Sequence, residues 1–95
     1  MLFAILCEDK PGALPVRLEN RPAHLEFLNG LGATLKLAGP FLGDDEKPLG
    51  SMLVVDAENA EAAKAIAAAD PYAKAGVFGS TTVRRWNWTV KNPEA

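Results

Sequence analysis

The chain holds one histidine, His24, and one cysteine, Cys7, so acid–base or nucleophilic chemistry has few places to reside. Histidine exchanges a proton near neutral pH, and a neighbouring carboxylate can fix which ring nitrogen carries it. His24 follows Arg17 and Arg21 at helical spacing. At about 100° per residue, all three project onto the arc set by Leu14, Leu18, Leu25, Leu28 and Leu31, while Glu19 and Glu26 project to the opposite side. Cationic groups among leucines need compensation from carboxylates, water or an anionic ligand. Guanidinium forks suit planar oxyanions, which makes Arg17 and Arg21 candidates for holding an acidic group of a small molecule. The alternative is that both snorkel to solvent at the rim of the fold.

Asp70 stands in Ala69-Asp70-Pro71-Tyr72. Locally this reads as a helix N-cap with proline at the first helical position. Ser51 follows Gly50 and either caps a turn or opens a strand; Gly50-Ser51-Met52 is not the elbow of a serine nucleophile. Cys7 closes an apolar run and reads as a buried, inert thiol, with a nucleophile as the alternative. A single histidine without acidic residues at ligand spacing leaves no metal site to expect. No glycine-rich phosphate loop joins a strand to a helix, so no flavin or nicotinamide site is expected either.

These residues must be positioned by a small set of elements. Residues 2–7 form a continuous apolar run suited to a strand buried on both faces, and Asp9-Lys10-Pro11-Gly12 breaks it with turn chemistry. Residues 14–31 carry helical periodicity. Pro22 either starts the main helix or kinks a longer one, and Gly30 and Gly32 end it. Residues 33–37 read as a second strand, which Gly39-Pro40 stops or marks as an edge. Residues 43–48 are a polar loop, and 51–55 a third strand. Asn59 is a good N-cap for an alanine-rich helix running to about Ala68, with Glu61 favourable in its first turn. Residues 77–90 read as a final strand whose Trp86 and Trp88 share one face and pack core or interface. Residues 92–95 are a tail.

The order is β-α-β-β-α-β, the split pattern of a ferredoxin-like α+β sandwich with helices on one face of an antiparallel sheet. At 95 residues the whole chain, 1–95, is one domain with one core. Two helices cover one sheet face, yet the first and third strands are apolar on both. The second face is therefore expected to meet a second copy, giving a homodimer. A formal net charge of -2 without a basic stretch argues against nucleic acid and acidic membranes as partners. The N-terminal apolar run is too short for a signal peptide or membrane span. A lone cysteine favours a reducing compartment, so the expected location is the cytoplasm.

Arg21-Pro22-Ala23-His24-Leu25, Ala38-Gly39-Pro40, Gly50-Ser51, Ala69-Asp70-Pro71-Tyr72 and Ala75-Gly76-Val77 follow one another along nearly the whole chain. In order and spacing they resemble the signatures of the YCII-related (YciI-like) family. The resemblance implies the fold of the dimeric α+β barrel and an active-site pair of one His and one Asp, which fall on His24 and Asp70. Within the same motifs, Ser51 and Tyr72 join Arg17 and Arg21 as candidate substrate-binding residues. The chain departs from the family mainly in a short loop at 43–49, which bears on how open the cleft is. The function expected is a small enzyme without cofactor or metal, working on a small organic, anionic and cyclic molecule. His24 would be the general acid/base and Asp70 its orienting partner. Isomerisation or elimination, as by a dehydrochlorinase, needs little beyond such proton movement. The alternatives are a ligand-binding module without turnover, and a structural dimer module in which His24 and Asp70 tie helices together.

Overall fold

A computed structural model describes residues 1–94. The elements are β1 (Leu2–Asp9), α1 (Leu14–Gly30), a 3-10 turn (Gly32–Thr34), β2 (Leu35–Leu42), β3 (Pro48–Asp56), α2 (Ala60–Ala69), α3 (Pro71–Lys74) and β4 (Phe78–Arg85). The four strands form one antiparallel sheet in the order β2-β3-β1-β4. This is the ferredoxin-like α+β arrangement, with β3 inserted between the strands of the first βαβ unit.

Side-chain alternation along the strands sets the core. Phe3, Ile5 and Cys7 of β1 stand beside Val55, Leu53 and Ser51 of β3 on one face, and all six are buried. Ala57, Ala63 and Ala67 complete this layer, joined by half-buried Leu28, Leu35, Ile66 and Val83. Burying each large aliphatic side chain here contributes about 1.5–3 kcal/mol. Asn59 caps α2 by accepting the Ala62 N–H at 2.9 Å. The other sheet face carries Ala4, Leu6, Leu37, Phe41, Met52 and Val54 in register. Leu6, Leu37 and Met52 stay partly accessible there, and Phe41 is exposed.

Three sequence expectations change. First, α1 runs unbroken through Pro22, and its fully buried residues are Arg17 and His24 rather than the leucines. Leu18 and Leu25 are 54% and 44% exposed, because carboxylates beneath the helix let the polar side chains turn inward. Snorkelling does not describe Arg17. Second, of the two readings of Gly39-Pro40 the edge holds and the stop does not, since β2 continues through them to Leu42. It pairs only with β3, and an edge strand tolerates a residue without an N–H. Third, β4 ends at Arg85, opposite Phe3, where its partner β1 runs out; the Trp86 N–H makes a last bond to the Leu2 carbonyl at 3.1 Å. Trp86 and Trp88 lie beyond the strand and pack on one another with ring centroids 5.5 Å apart. The last residue of the tail, Ala95, lies outside the described residues.

Candidate active site

His24 reaches the site from the middle of α1, and Asp70 from the junction of α2 and α3. Although 46 residues apart, they meet: His24 Nδ1 lies 2.9 Å from Asp70 Oδ1 and 3.1 Å from Oδ2. Asp70 also caps α3, its Oδ1 accepting the Tyr72 N–H at 2.9 Å. Asp70 is thus cap and histidine partner at once. An ionised carboxylate only accepts, so Nδ1 carries the proton that it donates to Asp70. Nε2 has no hydrogen-bond partner among the described residues. No fully buried side-chain polar atom among them is left unpaired, so Nε2 opens towards solvent.

The Tyr72 ring lies against the imidazole, with centroids 4.0 Å apart and planes 16° from parallel. The Arg17 guanidinium lies over the same ring, 4.4 Å from its centroid. Arg17 is itself held by Asp9 in a two-pronged contact, Nε to Oδ2 at 2.6 Å and Nη2 to Oδ1 at 2.8 Å, and Nη2 also donates to Ser51 Oγ at 2.8 Å. Burial would depress the Arg17 guanidinium, but the Asp9 contact more than offsets it and holds the group above its ordinary value. Burial pushes the Tyr72 phenol up against the opposing pull of Arg17, so it stays protonated at neutral pH. The Cys7 thiol, buried under the sheet's helix side, is pushed up to about 11. It remains a thiol and reads as packing rather than nucleophile.

Arg17, Arg21, His24, Ser51 and Tyr72 all line one cavity of about 370 Å³ between α1 and the β2–β3 side of the sheet. Asp70 sits behind His24 and is 1% exposed. Arg21 is exposed at the mouth and makes no salt bridge among the described residues. The remaining wall is apolar, from Leu18, Leu25, Leu28, Leu53, Pro40 and Pro48. Leucines that define a core arc in the sequence therefore line a cleft. Gly50 lets β1 and β3 approach closely just before Ser51, since a Cβ there would meet the Cys7 carbonyl oxygen at 2.5 Å.

Sequence reasoning missed Asp9, which reads as turn chemistry. Its signal was strand alternation: Phe3, Ile5, Cys7 and Asp9 fall on one face, so the last member of the row reaches under α1 with a carboxylate. Among the described residues, no group of three or more His, Cys, Asp or Glu side chains is placed to hold a metal ion, and no helix is long and apolar enough to cross a membrane.

With this geometry in view, known proteins give a consistent answer. The YCII-related domain matches residues 1–87. Protein YciI of Escherichia coli O6:H1 is 39% identical over 92 residues, covering 88% of this chain and 94% of YciI. An uncharacterised protein of Haemophilus influenzae is 40% identical over the same length and shares. Among solved structures, 5-chloro-2-hydroxyhydroquinone dehydrochlorinase (TftG) of Burkholderia phenoliruptrix, in complex with 2,5-dihydroxybenzoquinone, is 41% identical. It superposes with a TM-score of 0.84 over 92% of this chain and 94% of TftG. A NIPSNAP domain protein of Burkholderia xenovorans, 15% identical with a TM-score of 0.52 over 98% of this chain and 99% of its own, shares the fold alone. The chain belongs to the YCII-related family.

Proposed function

We propose that this chain is an enzyme that moves a proton on a small, flat, anionic organic molecule, using only its own side chains. The observation that carries this reading is the open Nε2 of His24, turned to a cavity of about 370 Å³ while Nδ1 is held by a buried carboxylate. Such a histidine is a general base in waiting. Nε2 takes a proton from a C–H or O–H of the substrate, and the imidazolium formed is stabilised by Asp70. In an elimination, the freed electron pair forms a double bond and the leaving group departs with its bonding pair. In an isomerisation, the same imidazolium returns the proton at another position. The Tyr72 phenol and the Ser51 hydroxyl, both on the cavity wall, supply donors for negative charge that develops on a substrate oxygen. Arg21, exposed at the mouth, meets an anionic group. The leucines and prolines accommodate a ring.

The likeness to TftG supports the lyase-like form of this reading and suggests the substrate class, a chlorinated polyhydroxybenzene. The working form of this reading is a homodimer. A second copy would cover the sheet face that carries Leu6, Leu37, Phe41 and Met52, which one chain leaves partly open to water. The structural reading is favoured by one feature: Asp70 ties α1 to α3 and would do so without catalysis.

The test uses 2,5-dihydroxybenzoquinone, the ligand of TftG, as a binding probe and chloride release from 5-chloro-2-hydroxyhydroquinone as turnover. The reading expects saturable binding and release, with release lost and the fold kept in His24→Ala. A protein that binds the quinone but never releases chloride, or shows no other proton transfer on such compounds, is a binding module. One that does neither, and only loses stability in His24→Ala, is structural.

A further inference from the structure

Arg17 is the most buried cation of the cleft, at 3% exposure, yet three of its five N–H groups are already engaged. Nε and Nη2 face Asp9, and Nη2 also serves Ser51. A guanidinium whose charge is cancelled by a buried carboxylate is a poor anchor for a substrate anion. Its guanidinium carbon also lies over the Tyr72 ring, 4.4 Å from the centroid. His24 is stacked on the same ring at 4.0 Å. At these separations two planar groups cannot share one side of a ring. Arg17 and His24 stand seven residues apart on α1, about two turns or roughly 10 Å along the axis, which leaves room for one aromatic ring between them. The ring is therefore held between guanidinium and imidazole, and Asp9, at the end of β1, fixes the outer member.

We infer that the Asp9–Arg17 pair is a clamp, which presses Tyr72 onto His24 and so fixes the imidazole plane and the aim of Nε2. Asp70 fixes one point of the imidazole, Nδ1; a single contact still allows the ring to swing about it. The Tyr72 stack removes that freedom. Arg17 and Asp9 are positioning residues in this scheme, acting through Tyr72, and the anion is left to Arg21. The inference rests on His24 being the working base, but its structural part does not need turnover to be observed.

His24 is the only histidine and Tyr72 the only tyrosine, so their ring resonances in the NMR spectrum of the full chain are unambiguous. In the wild-type protein the His24 ring protons should be displaced upfield by the Tyr72 ring current. Asp9→Asn and Arg17→Met each leave a buried charge without its partner and should lower the melting temperature, which a merely structural role would also do. The double variant Asp9→Asn/Arg17→Met removes both charges. It should recover most of that melting temperature, yet keep the His24 protons shifted back towards their unstacked position. It should also bind 2,5-dihydroxybenzoquinone as the wild type does while turnover falls, a loss in kcat rather than KM. A double variant whose His24 ring protons stay at wild-type positions would overturn the clamp. Weakened quinone binding at an undisturbed stack would return Arg17 to the role of anchor. Absence of turnover in the wild type would sink the enzymatic reading and leave the stacking result to stand or fall by itself.

Discussion

Replacing Asp70 by Asn separates the two tasks of this side chain. Asn is as good an N-cap as Asp, and its Oδ1 can still accept the Tyr72 N–H, so the start of α3 is kept. The change falls on the histidine. Nδ1 lies 2.9 and 3.1 Å from two acceptor oxygens. In the variant one becomes an amide N–H that a protonated Nδ1 cannot accept, so Nδ1 loses its preference for the proton. The negative charge that stabilises the imidazolium is lost as well. Exchanging a charge-assisted bond for a neutral one costs about 1 kcal/mol, or roughly 4–8 °C in melting temperature for a domain of this size. The effect on turnover should be much larger. A misdirected tautomer costs about 10⁴ in rate in the Ser–His–Asp enzymes, so a fall of about 10²–10⁴, or roughly 3–5 kcal/mol of barrier, is expected here. Long-range ¹H–¹⁵N correlation on the sole histidine reads the tautomer directly. The wild type should show Nδ1–H, and Asp70→Asn a raised share of Nε2–H. An unchanged tautomer with unchanged turnover would refute the assignment of Asp70 as the orienting group. A large loss of stability with unchanged turnover would show that it serves only the helices.

Arg21→Gln should weaken binding of an anionic probe several-fold, measured by calorimetry, while leaving the unfolding free energy within about 0.5 kcal/mol of wild type, as for an exposed side chain without a salt bridge among the described residues. Gly50→Ala should destabilise the protein by about 1–3 kcal/mol, because the Cβ would meet backbone, the Cys7 carbonyl, at 2.5 Å; a denaturant midpoint equal to wild type would contradict this. Cys7 should lower stability at high pH. Its pKa rises from 9.0 to about 11 on folding, so between those values the folded state binds the thiol proton and the unfolded state does not. Stability present below pH 9 is then lost, on the order of 2 kcal/mol, as pH climbs to 11. Cys7→Ala should flatten that part of the profile, and an unchanged slope would show that the thiol does not titrate in this way.

Much of this fold was legible because each element carries its own signal. The apolar run of β1, the Asn59 cap and the alanine face of α2 are local patterns that tertiary structure leaves intact. The meeting of His24 with Asp70 came from family motifs, since local sequence offers only a cap at Asp70. What was not legible depends on distant partners. The leucine arc of α1 projects inward on a helical wheel, yet Leu18 and Leu25 line a cleft, because Asp9 and Asp70 make it favourable to bury Arg17 and His24 instead. Asp9 looked like part of a turn, and only its place in the odd-numbered row of β1 betrays it. The end of β4 departs from its sequence pattern for a similar reason. Residues 86–90 have strand-forming side chains, but a strand needs a neighbour and β1 offers none past Leu2.

The central claim is that His24 Nε2 carries the proton in turnover. Chemical rescue tests it most directly: chloride release by His24→Ala, with and without added imidazole, in protein whose melting shows an intact fold. The cavity left beside Asp70 has the shape of the missing ring. Turnover should fall by about 10²–10⁴ and rise again in proportion to imidazole. Undiminished turnover in His24→Ala would contradict the account at its root.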